Sequence, residues 1–273
     1  MYSPPTSPAD EQRILAAQTT AAEALEVTVT GPRRWGYAGR SLGQQAHHPR
    51  HGACWLRLIS APVGKAHGKL WDGTHLAATA FPDVRRPALH GIHDLVREDA
   101  AYRAELCELV TSRVCSPDPV LRTELALPET WWKSLRTDLD AIAGTPTDRT
   151  AVRQEWINRA VPQFTGHPAP IIEQWATAHG DLQWANLTAD GPTLLDFEGF
   201  GAAPLGYDPA LLYVYSLLAP HTAAQIRAHF TVLASEPGRA ALLIVAADLL
   251  QSCSRGDHPE LAEPLRSLTA TLA

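Results

Sequence analysis

A change of pattern in the middle of the chain constrains the fold more than any other feature. Before Ser116-Pro-Asp-Pro119 the sequence offers β-branched stretches and a glycine-rich turn region, and after it apolar residues recur at helical spacing. Two prolines in four residues stop either kind of element, because proline fixes φ, lacks an N–H and biases its predecessor away from the helix. The chain is therefore expected to be α+β, with a small sheet-bearing first part, a linker near residues 109–119 and a mainly helical second part.

Within the first part, residues 1–10 form a Pro-rich start read as disordered, and Glu11 to Glu26 suits a short helix. Val27 to Thr30 favours a strand. Residues 31–43 then hold four glycines in thirteen positions and read as turn, and Gln45 to His51 reads as a solvated loop. Ala53 to Ile59 resumes a strand, Trp71 to Phe81 is helical, Pro87 to His93 extended, and Tyr102 to Val110 is read as a strand. In the second part helices are expected over Trp131 to Ala143, Asp148 to Val161, Leu211 to Leu218, Ala223 to Leu233, Arg239 to Leu250 and Pro259 to Leu272. Trp132, Leu135, Leu139 and Ile142 make one apolar stripe that faces a core.

Hydrophobic residues are 45% and charged residues 19% of the 273, which is the balance of a folded domain and sets aside global disorder. The longest apolar stretches, Ala210 to Ala219 and Ala240 to Ala247, fall short of the roughly 20 residues of a bilayer-spanning helix. No membrane partner is expected. The first ten residues lack the basic and apolar regions of a secretory leader, and Cys54, Cys107, Cys115 and Cys253 form no CxxC pair, so the expectation is a cytoplasmic protein with reduced thiols. Net charge is −6 with no basic run, which argues against nucleic acid. Up to Glu108 there are 12 Lys and Arg against 11 Asp and Glu, and from Leu109 onward 11 against 18. The acidic second part suits a cationic ligand or an ordinary solvated surface.

The chemistry is concentrated in His179-Gly-Asp-Leu-Gln-Trp-Ala-Asn186 and, ten residues after the Asn, Asp196-Phe-Glu198. An Asp and an Asn five apart on a loop divide two jobs: the carboxylate orients and deprotonates an attacking hydroxyl, and the amide oxygen ligates a metal. A second Asp on a neighbouring turn completes an oxygen-rich magnesium site. Phosphoryl transfer needs that set, since Mg²⁺ neutralises nucleotide phosphates while a separate base holds the nucleophile in line.

The Asp-x4-Asn spacing, Asp-Phe-Glu in place of Asp-Phe-Gly, and His-Gly-Asp in place of His-Arg-Asp make the segment similar to the aminoglycoside phosphotransferase and choline kinase superfamily of small-molecule kinases. Gly206-Tyr-Asp-Pro-Ala-Leu-Leu212 also looks like that superfamily's Gly-x-x-x-Asp-Leu-Ala segment. The resemblance covers Ala178 to Leu212. It implies a bilobal protein-kinase-like fold, with a nucleotide-binding lobe over residues 11–110, a catalytic and substrate-binding lobe over 111–273, and nucleotide between them. It further implies ATP or GTP as donor, Mg²⁺ as cofactor and a small hydroxylated, cationic acceptor, an aminoglycoside or related amino-sugar leading. Position by position, it makes Asp181 the catalytic base, Asn186 and Asp196 the metal ligands, and His179 the brace of the loop. Glu198 either assists the metal or substrate or caps the next turn. Asp208 before Pro209 reads as a helix N-cap and Trp184 as a packing anchor.

The first part departs from the family. Where a phosphate-binding lysine stands on the third strand, Trp55-Leu-Arg-Leu-Ile59 offers Arg57, either its replacement or an outward-facing strand residue. Lys65 and Lys69 are rivals. Gly36 to Gly43 does not match GxGxxG, so Gly36 and Gly39 either cradle phosphate or belong to a plain hairpin turn. Residues 71–81 contain no glutamate to pair with Arg57, leaving Asp72, Glu98 or Glu105. These departures motivate a second reading, a weak or inactive kinase-like protein that binds nucleotide or a small ligand. A third is a metal-dependent hydrolase with His179, Asp181, Asp196 and Glu198 as ligands. His47, His48 and His51 lie close together without a carboxylate or Cys at metal spacing, and His90 and His93 have no evident partners.

Overall fold

The structure, a computed structural model, describes residues 3–36 and 39–272. Met1 and Tyr2 of the expected disordered start, Tyr37 and Ala38 of the glycine-rich stretch, and Ala273 lie outside the described residues. The chain divides into two compact units, Met1–Thr79 with Arg86–Thr111, and Ala80–Arg85 with Ser112–Ala273.

The first unit opens with helix α1 (Pro8–Ala24), which begins inside the segment expected to be disordered. The cause is local. Ser7 caps the helix by accepting the Asp10 N–H, and Pro8 at the first position has no N–H to leave unsatisfied. Five antiparallel strands follow, β1 (Thr28–Trp35), β2 (Ser41–His48), β3 (Gly52–Pro62), β4 (Leu89–Arg97) and β5 (Ala100–Glu108), in the order β1-β2-β3-β5-β4. Helix α2 (Lys69–Ala80) lies between β3 and β4 in the chain.

Strand β2 and the second half of β1 correct the expectation of turn over residues 31–43. Leu42, Gln44, Ala46 and His48 point inward and Gln45 and His47 outward, an alternation masked by its polar and small residues. Pairing with β1 on one side and β3 on the other satisfies the backbone of this glycine- and glutamine-bearing segment. β1 reaches Trp35 by way of a register shift between Thr30 and Arg34, where Gly31 takes φ +68°. This edge strand is exposed over seven of its eight residues and carries Pro32, Arg33 and Arg34, residues that discourage pairing with another chain.

One face of the sheet packs Leu42, Ala46, Cys54, Leu56, Leu58, Tyr102, Ala104 and Leu106 against Ile14, Ala17, Ala21 and Ala22 of α1. The period-2 alternation then turns Arg57 to the opposite face, where Ile59, Ala101 and Trp71 of α2 form a smaller cluster.

The second unit contains α3 (Glu129–Ala143), α4 (Gln154–Thr165), the hairpin β6 (Trp175–Ala178) and β7 (Gly201–Pro204), α5 (Tyr207–Val214), α6 (Pro220–His229), α7 (Glu236–Ser254) and α8 (Ala262–Ala270). The stripe Trp132, Leu135, Leu139 and Ile142 of α3 is buried, as expected of a core-facing helix. Every residue from Ala241 to Ala247 is buried, so the middle of α7 is apolar all round and lies in the core of this unit. Helices α4 and α5 pack on α7, and β7 of the hairpin that flanks both chemical motifs touches it as well.

Candidate active site

The segment after β6 leaves the hairpin as a loop held by its own polar groups. The Asp181 N–H donates to His179 Nδ1 at 3.3 Å, so that nitrogen is an acceptor and the proton sits on Nε2, which donates to the Leu195 carbonyl at 2.9 Å. Both ring nitrogens are thereby used, and His179 is fully buried with burial pushing its pKa down, consistent with a neutral ring. His179 ties the two motif-bearing loops together. As a metal ligand it has no nitrogen left, which removes it from the hydrolase ligand set.

Asp208 does not cap its helix. Gly206 at φ +88° is the cap of α5, and Asp208 lies inside the first turn, buried, with its carboxylate turned to the other loop. Its oxygens accept the His179 N–H at 2.6 Å and the Gly180 N–H at 2.9 Å, charge-assisted bonds that fix the backbone just before Asp181. Burial raises its pKa while those donors oppose the rise.

Gly180 explains why this loop reads His-Gly-Asp. Its φ is +82°, and a Cβ there would lie 2.5 Å from the Gly199 carbonyl oxygen and 3.3 Å from Ala151 Cβ. A side chain would have to push apart the backbones of the two motif loops.

Asn186 Nδ2 donates to the Asp181 carbonyl at 3.0 Å and to its carboxylate Oδ2 at 3.1 Å. Both partners are acceptors, so the amide nitrogen must face Asp181 and the amide oxygen Oδ1 is turned the other way. Asp181 is about 7 in pKa, raised chiefly by burial and then by the charges of Asp196 and Glu198, against the Asn186 bond that favours ionisation. The three acids therefore converge on one region. Asp196 itself is exposed and adopts the left-handed conformation, φ 61° and ψ 65°, at the start of a short helical turn over Phe197–Gly199. Hard oxygen donors from one amide and one carboxylate suit Mg²⁺, which keeps waters and substrate phosphates in the rest of its shell. Among the described residues no group of three or more His, Cys, Asp and Glu could hold a metal by itself, as a transition-metal hydrolase would require.

Trp184 is fully buried and donates from Nε1 to Ser216 Oγ at 2.8 Å, in contact with Trp131 and Trp132. It anchors the loop to the helices.

In the sheet unit, Arg57 stands directly opposite Glu105 of β5, with Nη1 3.8 Å from the carboxylate. Of the three acids considered as its partner, Asp72 instead pairs with Arg103 and accepts the Gly68 N–H, and Glu98 lies beside Arg13. Lys65 and Lys69 are exposed and lie beyond β3 and at the start of α2. Gly36 donates its N–H to the Ser41 carbonyl and accepts that of Gly39, and Gly39 is buried against the backbone of Pro5. Both N–H groups are engaged within the turn, the geometry of a hairpin. Sequence reasoning missed Arg149, treated below, and the role of Asp208; neither neighbourhood carries a local signal, since both partners are distant in the chain.

No family model and no curated protein matches the chain by sequence. Solved structures match it in fold. A thermostable mutant of aminoglycoside phosphotransferase APH(4)-Ia, in ternary complex with ADP and hygromycin B, superposes with a TM-score of 0.60 at 14% identity over 94% of this chain and 97% of that one. Amicoumacin kinase hAmiN with AMP-PNP, Ca²⁺ and Ami gives 0.56 at 10% identity over 96% and 94%. Spectinomycin phosphotransferase APH(9)-Ia with ADP and spectinomycin gives 0.54 at 10% identity over 90% and 92%.

Proposed function

We propose that this chain, whose fold is that of the aminoglycoside phosphotransferase-like superfamily, transfers the γ-phosphoryl group of ATP or GTP to a hydroxyl of a small molecule. The observation that carries the reading is the Asp181–Asn186 pair: a half-buried carboxylate whose oxygen and backbone carbonyl both accept the Asn186 amide N–H, at 3.1 and 3.0 Å, so that the amide oxygen faces away from it. A carboxylate fixed in this way orients the acceptor hydroxyl and takes its proton as the bond to phosphorus forms.

Asn186 Oδ1 and Asp196 are the residues to hold Mg²⁺, which when bound supplies neutralisation of the nucleotide phosphates. Arg57 is the cation for phosphate in the sheet unit, a planar fork in place of an ammonium. His179 and Asp208 keep the loop in place and touch no reactant. The acceptor class favoured is a cationic amino-sugar. The relatives in fold include structures bound to hygromycin B and spectinomycin, and Asp181, Asp196 and Glu198 make the surroundings of the base acidic.

The engaged amides of Gly36 and Gly39 favour the second reading, a weak or inactive kinase-like chain that binds nucleotide or a small ligand. Thermal unfolding with ATP or GTP, with and without Mg²⁺, followed by single-turnover assay against hydroxylated amines, separates the two. A Mg²⁺-dependent rise in midpoint that is lost in Asp196→Ala, together with transfer lost in Asp181→Asn, is the expected result. Nucleotide binding without transfer to any acceptor leaves the second reading, and no binding removes the first and leaves of the second only a chain that binds another small ligand.

A further inference from the structure

Asp196 is a non-glycine residue in the left-handed region, a conformation that persists only where its surroundings over-determine it. On its N-terminal side the restraint is the His179 bond to the Leu195 carbonyl, with the Leu195 N–H donating to Asn186. On its C-terminal side the restraint comes from outside both motifs. Arg149, in the connection between α3 and α4, donates from Nη2 to the Glu198 carbonyl at 2.8 Å and from Nε to the Phe200 carbonyl at 2.9 Å, and its guanidinium lies 4.4 Å from the Phe200 ring centre. The backbone around it is locked as well. Ala202 donates to the Arg149 carbonyl, Ala151 and Val152 donate to Ala202, and a Cβ on Gly201 would meet the backbone of residues 149–151 at under 3 Å. The same segment reaches the other loop, since Ala151 Cβ is the neighbour that a side chain on Gly180 would meet at 3.3 Å.

We propose that Arg149 is a positioning residue that clamps the backbone after Asp196 and so holds that carboxylate in its metal-facing conformation. The planar fork matters. Two carbonyls two residues apart are gripped by two nitrogens of one rigid group, which fixes the torsions of Gly199 and Phe200 between them; a lysine ammonium on a flexible stem reproduces the charge but not this grip. The inference rests on the phosphoryl-transfer reading, in which Asp196 is a metal ligand.

The test uses Mn²⁺ as probe, with the full chain and AMP-PNP, and follows free Mn²⁺ by electron paramagnetic resonance. Outer groups that orient a metal ligand are worth roughly 10–100-fold in metal affinity, so Arg149→Lys and Arg149→Ala are each expected to weaken Mn²⁺ by about 10-fold or more, with metal-free AMP-PNP affinity changed by less than about twofold. Amide hydrogen exchange over residues 197–201 is expected to quicken in both. Arg149→Lys keeps the charge, so equal Mn²⁺ affinity in that variant and the wild type overturns the clamp while leaving phosphoryl transfer standing. If Arg149→Ala does not fold, Arg149→Lys decides alone. Absence of Mn²⁺ binding to the wild type, with and without AMP-PNP, removes the phosphoryl-transfer reading and the inference with it.

Discussion

Arg57 of β3 and Glu105 of β5 are cross-strand neighbours, their charged ends 3.8 Å apart, with Glu105 only 1% exposed. Both partners sit on adjacent strands of one sheet, so the pair is positioned by the hydrogen-bonded ladder and needs no movement of α2 to form. Arg57→Met removes a cation from beside a buried carboxylate and is expected to destabilise the protein by about 1–3 kcal/mol in urea unfolding, and to abolish the nucleotide-dependent rise in midpoint. Unchanged nucleotide stabilisation in that variant would remove Arg57 from the phosphate site.

Asp181→Asn preserves shape and the bond to Asn186 but cannot take a proton. Turnover is expected to fall by about 10²–10⁴-fold, the usual weight of a general base, with nucleotide binding retained. A rate within a few-fold of wild type assigns the proton transfer elsewhere.

Gly180→Ala places a methyl at φ +82° and 2.5 Å from the Gly199 carbonyl. Left-handed strain and overpacking together are expected to cost about 2–4 kcal/mol in equilibrium unfolding. A cost below half a kcal/mol would mean that the two loop backbones separate easily.

At the β2–β3 turn, His51 stacks on His90 of β4 with ring centres 4.2 Å apart and lies tilted against His48 at 4.6 Å, and His48 Nδ1 accepts the N–H groups of Arg50 and His51. The solvated loop expected over residues 45–51 is thus corrected as far as His48, which is buried in β2, while His51 is exposed in the turn that follows. Burial first, then the neighbouring His51, lowers the pKa of His48 and of His90 below 6.5; Glu26 and Glu108 oppose the shift, while Arg50 and His47 add to it at His48. The unfolded chain takes up protons near 6.5 that the folded cluster resists, so stability is full above that pH and is lost as pH falls through it. His90→Phe keeps a stacking ring without a charge. Urea midpoints at pH 7.5 and 5.5 should differ less for this variant than for wild type; equal differences would show that the cluster does not couple to folding.

Much of the fold was legible because periodicity survives in the sequence wherever a face is buried: Leu56 and Leu58 alternate into one sheet face, and Trp132, Leu135, Leu139 and Ile142 repeat along one helix face. Strand β2 was not legible, since its inward positions include Gln44 and His48, whose burial depends on partners brought by the fold, among them the Gly31 carbonyl that Gln44 reaches at 2.9 Å. The start of α1 was missed because a Pro-rich segment hides a Ser cap followed by Pro at the first helical position.

The sequence by itself determined which groups lie close along the chain: His179, Asp181 and Asn186 fall within eight residues, and Asp196 follows the Asn by ten. Only the tertiary structure decided who holds them there. Asp208 reaches the His179 amide from 29 positions away, Arg149 reaches the Glu198 carbonyl across 49, and Glu105 meets Arg57 through strand pairing. Such partners have no spacing rule, because a hydrogen bond between distant residues depends on how helices and strands pack, and packing is a property of the whole core.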